Sequence, residues 1–173
     1  MDKVISIFGS GRANEGTEVF KLAEQAGRIL AESAFTIANG GYGGTMLASA
    51  RGATKAGGQT IGVTCSAFGR CKANEYIKRE VVTRSLQERL ATLIELGEGY
   101  VVLPGGTGTL LELAKVWELK NKRFLKREKT IILLGGFWKP VVELVTSEDP
   151  ESVECLVQVD SAEQIKDVLT GSD

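Results

Sequence analysis

Short apolar, β-branched runs alternate along the chain with stretches in which apolar residues recur every three or four positions. The first pattern predicts buried strands, the second amphipathic helices. Strands are predicted at 3–8, 35–38, 59–64, 80–83, 99–103, 130–134 and 155–159, and helices near 17–33, 45–57, 85–97, 109–122, 138–146 and 161–170. The helix at 17–33 carries Val19, Ala23, Ala26 and Leu30 at helical spacing. Such alternation implies a mostly parallel sheet with helices on both faces, a doubly wound α/β domain. A chain of 173 residues fits one domain of this kind, spanning 1–173. The one long irregular piece is 66–79 (SAFGRCKANEYIKR), which reads equally as a mobile flap beside a site or as an ordinary surface loop.

Composition narrows the chemistry more than the fold. With 21 Lys and Arg against 22 Asp and Glu, the formal charge is −1, and no electrostatic footprint for nucleic acid or a membrane surface shows. The opening MDKVISIFGSG holds too short an apolar run for a signal peptide, and no later run nears the roughly 18 residues of a membrane helix. Cys65, Cys71 and Cys155 are odd in number and form no CxxC, which suits reduced thiols and a cytoplasmic location. There is no histidine at all, which excludes a His-based triad, a His general base and most zinc sites. Chemistry here has to come from carboxylates, arginine, hydroxyls or backbone.

Three glycine-bearing turns follow predicted strands, at the sheet edge where ligands of such folds bind. FGSGRANEG offers Gly9, Ser10 and Gly11; NGGYGGT offers Gly40, Gly41, Gly43, Gly44 and Thr45; PGGTGT offers Pro104, Gly105, Gly106, Thr107, Gly108 and Thr109. Glycine lets a ligand approach the backbone, and the helix start behind each turn supplies free N–H groups and partial positive charge, so phosphate is the natural guest. A dinucleotide fingerprint is absent: Asn14 stands at the third glycine position, and the second strand ends in Asn39-Gly40 without an acid for a ribose diol. No GxxxxGK[ST] occurs either. A mononucleotide or sugar phosphate fits better.

Two side chains stand out beside these turns. Side chains on a helix lean toward its N-terminus, so Glu112 projects back over Gly108 and Thr109. In RSLQERLATLIELG, Leu86, Leu90, Leu93, Ile94 and Leu96 form an apolar arc with Arg89 inside it, while Arg84, Glu88, Thr92 and Glu95 take the opposite face. An arginine on a buried face needs a carboxylate or a ligand anion as partner, or else snorkels to water.

PGGTGTLLE (104–112) matches the PGGxGTxxE signature of the Lonely Guy (LOG) family. NGGYGGTMLASARGATKAGGQTIGV resembles that family's second glycine turn, helix and third strand, and IFGSGRAN its opening, over roughly residues 3–145. The resemblance implies a Rossmann-like fold, usually dimeric, in a family often labelled "putative lysine decarboxylase". Characterised members are phosphoribohydrolases that cleave cytokinin riboside 5′-monophosphates, and often AMP, into base and ribose 5-phosphate. Its catalytic pair, the Glu closing the motif and an Arg in an Arg-Lys dipeptide, maps onto Glu112 and Arg89. Leu90 stands where the family has Lys, and the Met-His lead-in of that helix is missing. Nothing reads as a pyridoxal-phosphate site.

Together these readings lead to a nucleoside 5′-monophosphate phosphoribohydrolase needing no metal or redox cofactor. It would act on a small-molecule nucleotide or sugar phosphate, without nucleic-acid or membrane partners, as a homodimer. The alternative is a non-catalytic carrier or sensor of a nucleotide or phosphorylated cofactor, as molybdenum-cofactor carriers are. Three structural expectations follow: an anion seat at the amides of residues 105 to 109, Arg89 and Glu112 meeting in one cleft, and glycine turns lining it.

Overall fold

A computed structural model describes residues 3–69 and 72–171. Seven strands, β1 (Val4–Phe8), β2 (Thr36–Asn39), β3 (Thr60–Cys65), β4 (Arg79–Thr83), β5 (Gly99–Val102), β6 (Thr130–Leu134) and β7 (Leu156–Val159), form one sheet in the order β4-β3-β2-β1-β5-β6-β7. Every pairing is parallel. The central strands are buried along their whole length, which is why their sequences read as continuous apolar runs rather than alternating ones. Strand order reverses between β1 and β5, so the crevice for a ligand opens beyond their carboxyl ends.

Among the described residues six helices cover the sheet: α1 (Glu18–Glu32), α2 (Thr45–Lys55), α3 (Leu86–Leu96), α4 (Thr107–Asn121), α5 (Lys139–Thr146) and α6 (Ala162–Thr170). Two separate apolar cores result. One joins Phe20, Ala26 and Leu30 of α1 to Ile5, Ile7, Ile37 and Ile165; the other joins Leu93, Leu113, Val116 and Trp117 to Phe8, Val102 and Ile131. In α4 the buried positions Thr109, Leu113, Val116 and Trp117 follow the helical period, and Trp117 Nε1 donates to Ser152 O at 2.8 Å. Among the described residues no helix is long and apolar enough to cross a membrane.

α1 and α2 meet backbone to backbone. A Cβ on Gly27 would lie 2.8 Å from Ser49 Cα, and one on Gly52 would lie 2.9 Å from the Glu24 carbonyl carbon. These two glycines are therefore required for helix approach, and Arg51 locks the same contact by pairing with Glu24 at 2.8 Å and with Glu15. The helix predicted at 109–122 begins two residues earlier, inside the glycine turn. The strand predicted at 155–159 begins at Leu156, because Pro150–Cys155 forms a 3-10 segment.

Of the segment 66–79, residues 66–69 and 72–79 are described. It opens with a 3-10 turn, Ser66–Phe68, and its second half is fastened to the sheet edge. The Asn74 side chain donates to Gly41 O at 3.2 Å and Tyr42 O at 2.7 Å, its amide donates to Gly41 O at 2.7 Å, and Thr54 and Thr60 hydroxyls both donate to Tyr76 O. Cys71 lies outside the described residues; Cys65 and Cys155 are free thiols.

Candidate active site

Beyond the strand ends lies a cavity of about 700 Å³. Its floor is the β1–α1 turn (Gly9, Ser10, Gly11, Arg12); its walls are the start of α4 (Gly106 to Thr109 and Glu112), Arg89 of α3, Tyr42 and Met46 around the start of α2, and Phe68. Local sequence explains each placement. Ser85 caps α3 by accepting from Glu88 N at 3.1 Å, and Ser6 Oγ on β1 donates to Leu93 O at 2.6 Å, which fixes α3 against the sheet. Arg89 is thereby aimed inward. The α4 N-cap is Gly106, which has no side chain to cap the helix, and the first intrahelical bond runs from Leu110 N to Gly106 O. The amides of Thr107, Gly108 and Thr109 precede that bond and have no intrahelical acceptor.

Arg89 and Glu112, 23 positions apart in sequence, come together: Nη1 lies 3.6 Å from Oε1, with side chains 9 % and 13 % exposed. Arg89 is held from three further sides. Its Nε donates to Val63 O at 2.8 Å, and its guanidinium carbon lies 5.9 Å from the Tyr42 ring and 5.8 Å from the Phe68 ring. Tyr42 is fixed in turn, its hydroxyl accepting from Cys65 N at 2.8 Å. Burial pushes the Glu112 carboxyl up to about 7, with Arg89 pulling the other way. The balance is close on magnitudes too. At 3.6 Å and an effective dielectric of about 20 the attraction is on the order of 4–5 kcal/mol, comparable to the several kcal/mol of taking an ion out of water. A group so poised gains from any further positive charge that develops beside it.

The three glycine turns do different work. Gly9, Ser10 and Gly11, with Gly106, Thr107, Gly108 and Thr109, line the cavity; Pro104 and Gly105 sit behind the ridge that the two turns make. The second turn, expected to hold phosphate, reaches the cavity lining through Tyr42 and Met46 rather than through its glycines. Gly41 N donates to Asn39 Oδ1 at 2.8 Å, and Thr45 N is spent on Ser10 O at 2.8 Å. A Cβ on Gly44 would lie 2.6 Å from the Gly11 carbonyl carbon, and one on Gly40 would overlap the Arg89 guanidinium, 2.9 Å from Cζ. Gly40, Gly41 and Gly44 thus admit neighbouring protein groups. On α3, Leu86 is 46 % exposed, so the buried arc is narrower than its sequence suggests and runs through Arg89, Leu93 and Ile94.

A family model described as the SLOG cluster4 family matches residues 2–166. The chain belongs to that family. The LOG resemblance carried by PGGTGTLLE extends to curated relatives: the cytokinin riboside 5′-monophosphate phosphoribohydrolase of Rhodococcoides fascians is 32% identical over 146 residues, 83% of this chain and 74% of the relative. Two solved structures share the fold. The molybdenum cofactor binding protein of Rippkaea orientalis superposes with a TM-score of 0.82 at 24% identity, over 99% of this chain and 97% of its own. The molybdenum cofactor carrier protein of Chlamydomonas reinhardtii gives 0.75 at 22% identity, over 99% and 98%.

Proposed function

We propose that the chain hydrolyses the N-glycosidic bond of nucleoside 5′-monophosphates, releasing free base and ribose 5-phosphate. The observation that carries this reading is the buried Arg89–Glu112 pair facing an uncapped helix N-terminus across one cavity. The 5′-phosphate takes the amides of residues 107 to 109, with Arg89 as counter-charge, and the ribose then lies along Glu112. As the C1′–N bond breaks, its electron pair stays with the base nitrogen, which takes up a proton, and positive charge grows on the ribose. The Glu112 carboxylate stabilises that charge and accepts a proton from the water whose oxygen bonds to C1′, then releases it to solvent, replacing the proton that the base took from solvent. The name of the Rhodococcoides fascians relative supports this chemistry.

A carrier of a phosphorylated ligand is the second reading. It draws on the ligand named for the two solved neighbours and on Leu90, which leaves Arg89 without the lysine that follows it in the LOG pattern. Incubation with a panel of nucleoside monophosphates, followed by chromatography, separates the two: base and ribose 5-phosphate appear in equal amounts for a hydrolase, whereas binding without turnover of any monophosphate leaves the carrier. The proposal includes a homodimer, with a second copy covering Leu86 of α3 and Leu110 and Leu111 of α4, which lie exposed on the two helices that carry the pair. Light scattering at micromolar concentration should give twice the 18.5 kDa chain mass; a monomeric value removes this part.

A further inference from the structure

On the far side of the ridge lies a second cavity, of about 340 Å³, within the size range of ligand pockets. Ser10 and Arg12 line both cavities. The ridge is stiff: Ser10 N donates to Pro104 O at 3.1 Å, and Arg12 N donates to Ser10 Oγ at 3.1 Å. Behind it, Val19 and Thr17 of the α1 start and Phe137 of the β6–α5 turn complete the second cavity. Phe137 is 53 % exposed, yet its ring is held edge-on by Trp138 at 5.0 Å, and Trp138 is buried with its indole N–H on Leu103 O at 3.0 Å. An aromatic face so presented at the ligand edge of the sheet suits a planar guest. Arg12 and the Asn14 amide, also in the lining, make no ion pair or side-chain hydrogen bond among the described residues.

We infer that this second cavity receives a planar group joined to the ligand through its 5′-phosphate. The inference rests on the reading that the phosphate sits at the start of α4, because that seat is on the ridge itself. A substituent on the phosphate then leads over Ser10 into the second cavity, with Phe137 against its ring and Arg12 beside the bridging anion. The ligand class is a nucleotide whose phosphate carries a second nucleoside or similar heterocycle, not a bare monophosphate alone.

Calorimetric titration tests this with three probes: AMP, ADP and the diphosphate-bridged diadenosine. It is run on the Glu112→Gln chain to suppress turnover, and repeated with Phe137→Ala added and with Val19→Trp added. Both added changes sit at the second cavity only, on different elements. The bridged dinucleotide is expected to bind about tenfold more tightly than either AMP or ADP, and each added change is expected to erase that gain while leaving AMP binding within about twofold. Equal binding of ADP and the dinucleotide, or a gain that survives both changes, overturns the inference and leaves the monophosphate reading standing. A dinucleotide preference together with no hydrolysis of any monophosphate by the unaltered chain keeps the second cavity and removes the hydrolase.

Discussion

Replacing Glu112 with Gln is expected to lower kcat on a nucleoside monophosphate by a factor on the order of 10² or more, with nucleotide affinity little changed. Gln keeps the size and the acceptor oxygen, so what is lost is the negative charge beside the ribose when that ribose becomes cationic. An interaction made mainly in the transition state shows in kcat and kcat/KM together. The pH dependence follows from the same group. Burial holds the Glu112 carboxyl up to about 7, and the ionised form is the working one. The kcat/KM of the parent chain should therefore fall about tenfold for each pH step of one below that point and level off above it. Stability should move the other way. A carboxyl raised in the folded state costs nothing below its ordinary value of 4.5 and becomes progressively costly as pH rises through about 7. At ~1.4 kcal/mol per pH step, the rise from 4.5 to about 7 amounts to roughly 3 kcal/mol. Denaturant melts at pH 5 and pH 8 should thus shift in favour of Glu112→Gln, relative to the parent, by about that amount. Unchanged kcat, or a stability difference independent of pH, would sink the assignment.

Gly40→Ala is expected to abolish most turnover while sparing the fold. The added methyl overlaps the Arg89 guanidinium and lies 2.6 Å from Met46 Sδ, both far ends of long side chains that can move aside. The backbone need not shift, and Gly40 is not among the positive-φ glycines, so alanine is unstrained there. Displacing the guanidinium loses its bond to Val63 O and its approach to Glu112. A misplacement of about 1 Å in a positioned group costs roughly 10²-fold in rate, and a comparable loss of turnover is expected, with weaker phosphate binding. The melting temperature should fall by several degrees, as expected for loss of a buried pair, while unfolding stays cooperative. Full activity in Gly40→Ala would mean that Arg89 has no part in the chemistry.

Gly40 also shows where the sequence stops being readable. A glycine announces that something comes close to the backbone, but not whether the visitor is a ligand phosphate or a neighbour's guanidinium. That ambiguity sent NGGYGGT to the ligand side, although Gly40 lies against Arg89 and Gly44 against Ser10 and Gly11. The strands were readable because a parallel sheet buried on both faces forces unbroken β-branched runs. Arg89 was readable because a charge inside an apolar arc conflicts with its surroundings unless something pairs it. Leu86 was not, since helical spacing gives the centre of a buried arc better than its edges. Tyr42 and Phe68 left no signal of their own. Their role depends on the β2–α2 turn, which carries Tyr42, and the turn after β3, which carries Phe68, both arriving at one arginine, and only the assembled chain brings them there. Asn74 was hidden within a polar stretch whose composition says nothing of what it fastens.

The missing histidines have a use for the experimenter. In most proteins, proton exchange on ligand binding near neutrality is a sum over several imidazoles and is hard to assign. Here, among the described side chains, Glu112 is the one held near 7. Calorimetry repeated in buffers of different ionisation enthalpy would count the protons taken up or given off when a nucleotide docks. Once the share taken by the nucleotide's own phosphate, with its second pKa of about 6, is subtracted, that count would report the charge on a single carboxyl.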